Sequence, residues 1–124
     1  MIQSDIKKIV EDLIETFLDA GKISLDLREK GLTKEIKSDN TPVSNGDLEV
    51  NKILTKRISE LTPNIPIVSE ETSENKSRNN LENFWLVDPI DGTYDYINNL
   101  DEFTINAGLI IQKRPVAGLI YAPA

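Results

Sequence analysis

Ile2, Ile6, Ile9, Val10, Leu13, Ile14, Phe17 and Leu18 recur at three- and four-residue intervals. That spacing lays an apolar stripe along one side of a helix and predicts a single long helix over Gln3–Lys30. Gly31, which can adopt the left-handed conformation of a helix end, is expected to stop it. The stretch "LTKEIKSDNTPVS" is polar and rich in turn formers, and predicts a small hairpin with a mobile tip at Lys37 to Asn40. A second helix is expected over about Gly46–Glu60, burying Leu48, Ile53, Leu54 and Ile58.

The period then changes. "NIPIVSEE" reads as a short strand ending on two glutamates, "TSENKSRNN" as a polar surface excursion, and "FWLVD" as a buried strand. "TINAGLIIQKRPVAGLIYAPA" predicts two strands joined by a tight turn near Gln112 to Arg114. The fold class is α+β, with long N-terminal helices packed on a mainly antiparallel sheet. With 124 residues, the chain is expected to form a single domain over 1–124. It stops directly after an apolar strand, and an edge strand of that kind invites a further neighbour. The chain is therefore expected to be the N-terminal part of a longer protein.

Composition narrows the chemistry. The net charge is −7, which disfavours polymeric nucleic acid and anionic membrane surfaces; any anionic ligand would need a bound cation to attract it. Cysteine and histidine are both absent, so thiolate nucleophiles, zinc–thiolate sites and an imidazole base are excluded. The N-terminal residues mix charge into every turn and form neither a signal peptide nor a membrane span. A cytoplasmic location is expected, with peripheral attachment at the inner membrane left open.

What remains for chemistry is carboxylates, hydroxyls and lysines, and they cluster in "FWLVDPIDGTYDY". Asp88 ends the predicted strand, and Pro89 cannot donate to a ladder, so the chain is expected to leave the sheet there. Asp88 and Asp91 lie three apart, and one turn brings both carboxylates to one side. Two such charges repel and raise each other's pKa, unless a hard cation such as magnesium takes both as oxygen ligands. Gly92 permits close backbone approach, and Thr93 opens a short helix whose free N–H groups would face an anion. The plain alternative is a polar turn, with Asp91-Gly92 as its bend. Glu70-Glu71 follows the preceding strand, and parallel alignment of the two strands would set Glu70 beside Asp88. Asp47 stands three residues after Ser44, and spacing alone makes it the reciprocal carboxylate of a capping box.

These stretches carry a resemblance. "DPIDGT", with "SEE" and "TPVSNGD" upstream, resembles the inositol monophosphatase superfamily of magnesium-dependent, lithium-sensitive phosphatases. "DNTPVSNGD", "TPNIPIVSEE", "FWLVDPIDGT" and "NNLDEFTINAGLI…VAGLIYAPA" resemble its bacterial CysQ branch of 3'(2'),5'-bisphosphate nucleotidases. The likeness runs from about Ile6 to Ala124. It implies the N-terminal half of that family's layered fold, the metal-binding portion, with the C-terminal domain absent.

It also implies roles. Glu70, Asp88 and Asp91 would be metal ligands, expected to converge closely enough to share a cation, and Ile90 would give its backbone carbonyl to the metal. Gly92 and Thr93 would bind phosphate, with Lys37 nearby. Asp47 and Thr93 would orient and deprotonate the attacking water, a role the resemblance alone gives to Asp47. The implied cofactor is Mg2+. The implied reaction converts adenosine 3',5'-bisphosphate to AMP and phosphate, a step linked to sulfate assimilation; homodimerisation is left open. Two departures bear on this. A further metal-binding aspartate of the family has no counterpart in these residues, and Tyr94-Asp95-Tyr96 stands where the branch commonly has Lys-Glu-Phe. An inositol or sugar monophosphatase, an inactive metal- and phosphate-binding module, and an acidic structural module are the alternatives.

Overall fold

In a computed structural model of the chain, residues 2–71 and 81–124 are described. The polar excursion "TSENKSRNN" lies outside them. Helix α1 (Gln3–Lys30) has the bounds that the periodicity predicts, and Gly31 closes it with φ 97°. Strands β1 (Lys34–Ile36) and β2 (Pro42–Ser44) form the hairpin, and helix α2 (Asn45–Leu61) follows. Strands β3 (Ile67–Ser69), β4 (Phe84–Asp91), β5 (Thr104–Ile111) and β6 (Arg114–Tyr121) make one sheet in that order, with the short helix α3 (Thr93–Ile97) between β4 and β5. The β3–β4 pair is parallel; the other two pairs are antiparallel. A two-residue turn closes β5–β6, with positive φ at Gln112 and Lys113, as the primed hairpin turns require.

The core lies between the two long helices and one sheet face. Leu13, Phe17 and Ala20 of α1 and Val50, Leu54 and Ile58 of α2 meet Trp85, Val87, Ile105 and Leu109 of the sheet. Each large apolar side chain buried there stabilises the fold by about 1.5–3 kcal/mol. Trp85 is fully buried, and its indole N–H donates to Thr62 Oγ at 3.0 Å, so the ring carries no unsatisfied polar atom into the core.

Three expectations change. Leu48 is not buried but 49% exposed, because α2 turns Asp47, Val50, Asn51, Leu54 and Ile58 inward and Leu48 falls off that arc. Ile14 and Leu18 are likewise half exposed, since α1 seats Leu13, Phe17, Ala20, Gly21 and Ser24 against its neighbours. Strand β4 does not end at Asp88. The ladder breaks between Asp88 and Asp91, where Pro89 cannot donate, and resumes with Asp91 opposite Thr104.

Gly46 shows how tightly α2 is fitted. A Cβ there would sit 2.2 Å from the Tyr96 hydroxyl and 2.7–2.8 Å from its ring carbons. Alanine in an unobstructed helix would stabilise by about 0.5–1 kcal/mol relative to glycine. Here the clash reverses the sign: Gly46→Ala is expected to destabilise by roughly 1–3 kcal/mol. Urea unfolding of the variant measures this, and a raised midpoint would show that Tyr96 yields freely.

Candidate active site

A cleft of roughly 340 Å³ opens where β3 and β4 end beside the β1–β2 hairpin and the start of α3. Glu70, Glu71, Asp88, Ile90, Asp91, Gly92, Thr93 and Lys37 all line it, together with Asp39 and Tyr94. The parallel register sets Ser69 opposite Val87, and the Glu70 N–H donates to Val87 O at 3.1 Å. One further step along the ladder brings Glu70 level with Asp88. The parallel alignment on which the sequence reading made the Glu70–Asp88 approach depend is thus present in β3 and β4.

Asp47 is fully buried, and both of its oxygens are engaged. Oδ2 accepts from the Ser44 N–H at 3.0 Å and from the Ser44 hydroxyl at 2.5 Å, while the Asp47 N–H donates to Ser44 Oγ at 3.3 Å. This is the reciprocal capping box of α2. Oδ1 accepts from the Thr93 hydroxyl at 2.7 Å. The same carboxylate therefore serves as helix cap and as partner of Thr93. Thr93 Oγ also lies 3.1 Å from the Ile90 carbonyl, which fixes the turn carrying Asp91 and Gly92. Gly92 has φ 93°, and a Cβ there would come within 2.8 Å of Glu102 O. Both the conformation and the close approach require glycine.

The two glutamates part ways. Glu70 is exposed at residue level, whereas the Glu71 side chain is only 7% exposed and pairs with Lys37 Nζ at 3.6 Å. Ser69 Oγ donates to Asn51 Oδ1 at 2.5 Å and accepts from the Glu71 N–H at 3.3 Å. That chain ties the end of β3 to α2. Sequence reasoning passed over Asn51, Ser69 and the placement of Glu71. The available signal was Asn51 itself, a polar residue four after Asp47 on a helix face otherwise made of Val50, Leu54 and Ile58.

Electrostatics mark Asp88. Burial first, then the charges of Asp91, Glu70, Glu71 and Asp47, push its pKa up to about 6. Among the described residues, however, no three acidic side chains are drawn together as a ready-made metal cage. Like charges repel, and Asp91 stands exposed beyond the break in β4. The donors are all hard oxygens, which fits a cation held by one or two carboxylates plus water and phosphate.

Fold and site together define an α+β domain with an acidic cleft at its strand ends, built around a hydroxyl–carboxylate pair. The chain belongs to the inositol monophosphatase family, whose model matches residues 5–124. It is 38% identical over 117 residues to the 3'(2'),5'-bisphosphate nucleotidase CysQ of Aggregatibacter actinomycetemcomitans, covering 93% of this chain and 44% of that protein. It is 39% identical over 106 residues to the CysQ of Haemophilus influenzae, covering 84% and 39%. Its structure superposes on the extragenic suppressor protein suhB of Bartonella henselae with a TM-score of 0.82 at 25% identity, covering 94% of this chain and 45% of that one. The chain thus spans less than half the length of these relatives. Among the described residues, no helix is long and apolar enough to cross a membrane.

The raised pKa of Asp88 has a definite sign. Between its ordinary value of 3.8 and about 6, the folded chain binds more protons at this group than the unfolded chain does. Its contribution to stability therefore falls as pH rises through that window. Without divalent cations, Asp88→Asn is expected to raise the melting temperature at pH 7.5 and to change it little at pH 4. Thermal melts at the two pH values decide this, and a destabilised variant at pH 7.5 would contradict the sign.

Proposed function

We propose that the chain is the N-terminal, metal- and phosphate-binding portion of a magnesium-dependent phosphomonoester hydrolase acting on adenosine 3',5'-bisphosphate, with AMP and phosphate as products. The observation that carries this reading is a hydroxyl held at 2.7 Å by a fully buried carboxylate, at the edge of a cleft whose acidic groups repel one another. The bisphosphate nucleotidase names of the relatives support the substrate.

Glu70, Asp88 and Asp91, with the Ile90 carbonyl, would hold the cation. Gly92, Thr93 and Lys37 would meet the phosphate. Magnesium held there would supply positive charge to the phosphate oxygens and lower the pKa of a neighbouring water. The Thr93 hydroxyl donates its hydrogen bond to Asp47 Oδ1, so its lone pairs can accept from the attacking water. As that water attacks phosphorus in line, its proton passes to Thr93, and the Thr93 proton moves on to Asp47. Asp47 is held for this by Ser44, which occupies its other oxygen.

The further metal ligand that the family resemblance implies has no counterpart in these 124 residues. The 124-residue chain alone is expected to bind magnesium weakly and release little phosphate, and the full-length protein to be active and sensitive to lithium. Tyr94-Asp95-Tyr96 keeps an inositol or sugar phosphate as the second substrate reading. Phosphate release from adenosine 3',5'-bisphosphate and from inositol 1-phosphate, measured side by side in the full-length protein, separates the two. Preference for the inositol ester would contradict the first.

Asp47→Asn and Thr93→Val test the proton path. Each is expected to lower turnover about 10²–10⁴-fold, the usual worth of a positioned acid or base. Magnesium affinity should hardly move. Asp47→Asn should also cost the fold about 1–3 kcal/mol, because an amide cannot accept on both sides. An early-melting Asp47→Asn protein with normal turnover would reduce Asp47 to a helix cap.

A further inference from the structure

Helix α3 has five residues, too few to hold a helix by itself. Something outside it must hold Thr93 against Asp47. Beyond the core contacts, the side chain placed to do so is Arg28, near the end of α1 and far from the cleft in sequence. Its side chain is 12% exposed. One guanidinium nitrogen donates to Leu100 O at 2.7 Å and lies 3.5 Å from Tyr96 O; the other meets Asp101 at 2.9 Å. The guanidinium carbon stands 5.6 Å from the Tyr96 ring centre and 5.2 Å from that of Phe103, within cation–π range of both. The two rings are 4.8 Å apart.

The segment that carries these rings lies against the reacting pair. Tyr96 packs on Gly46, the neighbour of Asp47, and its hydroxyl donates to Ser24 O on α1 at 2.6 Å. The Glu102 carbonyl and the Phe103 Cα and Cβ close on Gly92, the neighbour of Thr93. We propose that Arg28 is a positioning residue: by clamping the Tyr96–Phe103 segment to the end of α1, it sets the Thr93 hydroxyl on Asp47. A carbonyl-directed fork and a flat cation set against two rings suit arginine specifically, and lysine reproduces only the charge and one donor. The inference rests on the hydrolase reading for its effect on rate, but not for its effect on the segment.

The test uses Arg28→Met and Arg28→Lys in the full-length protein, assayed well below their melting temperatures. Arg28→Met is expected to lower kcat about 10–100-fold, the scale of a small misplacement of reacting groups, with KM within about twofold. Arg28→Lys should fall between it and the parent. Once Thr93→Val has removed the group being positioned, Arg28→Met should cost less than about twofold more, because two changes acting through one contact do not add. Amide hydrogen exchange supplies a readout that needs no activity. The 93–100 segment should exchange at least roughly tenfold faster in Arg28→Met, while β5 stays slow. An unchanged kcat, or a full multiplicative loss on the Thr93→Val background, would overturn the positioning role. If no phosphatase activity is found in the parent, the hydrolase reading fails by itself. Exchange then decides on Arg28, and unchanged protection of 93–100 overturns the clamp.

Discussion

Like charge crowded into one cleft is the constraint to which this domain is built. Glu70, Glu71, Asp88 and Asp91 line the same space, Asp47 lies just behind it, and burial first, then the other four charges, raise the pKa of Asp88. Folding cannot avoid that repulsion once β3 and β4 run parallel and end side by side. It offsets the repulsion elsewhere: in the apolar layer between helices and sheet, in the Lys37–Glu71 ion pair, and in hydrogen bonds that fix the buried acid. Asp47 has no exposure at all, and a buried carboxylate is tolerable only when its oxygens are satisfied. Ser44 and Thr93 do this from opposite sides, and so join the start of α2 to the start of α3.

On the proposed hydrolase reading, a chemical duty joins the structural one on this side chain. The cap fixes the orientation of the Asp47 carboxylate, and that orientation leaves Oδ1 turned to Thr93. Gly46 and Gly92 are small for related reasons: Gly46 makes room for the Tyr96 ring, and Gly92 for the backbone at Glu102 and Phe103.

Much of the fold was legible in the sequence, because period and punctuation agreed. The apolar spacing and Gly31 bounded α1 to the residue, and Asp-Gly-Thr marked the start of α3. The hairpin and the tight β5–β6 turn followed from turn formers and from the length of the gap. What periodicity could not give was the direction each helix face would turn. Leu48, Ile14 and Leu18 fit an apolar stripe yet stand half exposed, since polar Asp47, Asn51 and Ser24 take inward positions instead. The bulge at Pro89 was hidden too: proline announces a break in a ladder but not whether the strand resumes. In the site, spacing alone described Asp47 as a cap, and its bond to Thr93, 46 residues away, is a product of the fold. The Asn51–Ser69–Glu71 chain and the Arg28 clamp are likewise tertiary, and no local pattern in the chain announces them.

The claim that the acidic cleft is a cation site is tested most directly by isothermal calorimetry. Magnesium would be titrated into the chain and into its Asp88→Asn variant at pH 7.5. The shared cleft of Glu70, Asp88 and Asp91 predicts a saturable, weak binding isotherm for the parent chain, suppressed by added calcium and lost in the variant. Equal heats from both proteins, or no saturable binding by either at millimolar magnesium, would contradict it.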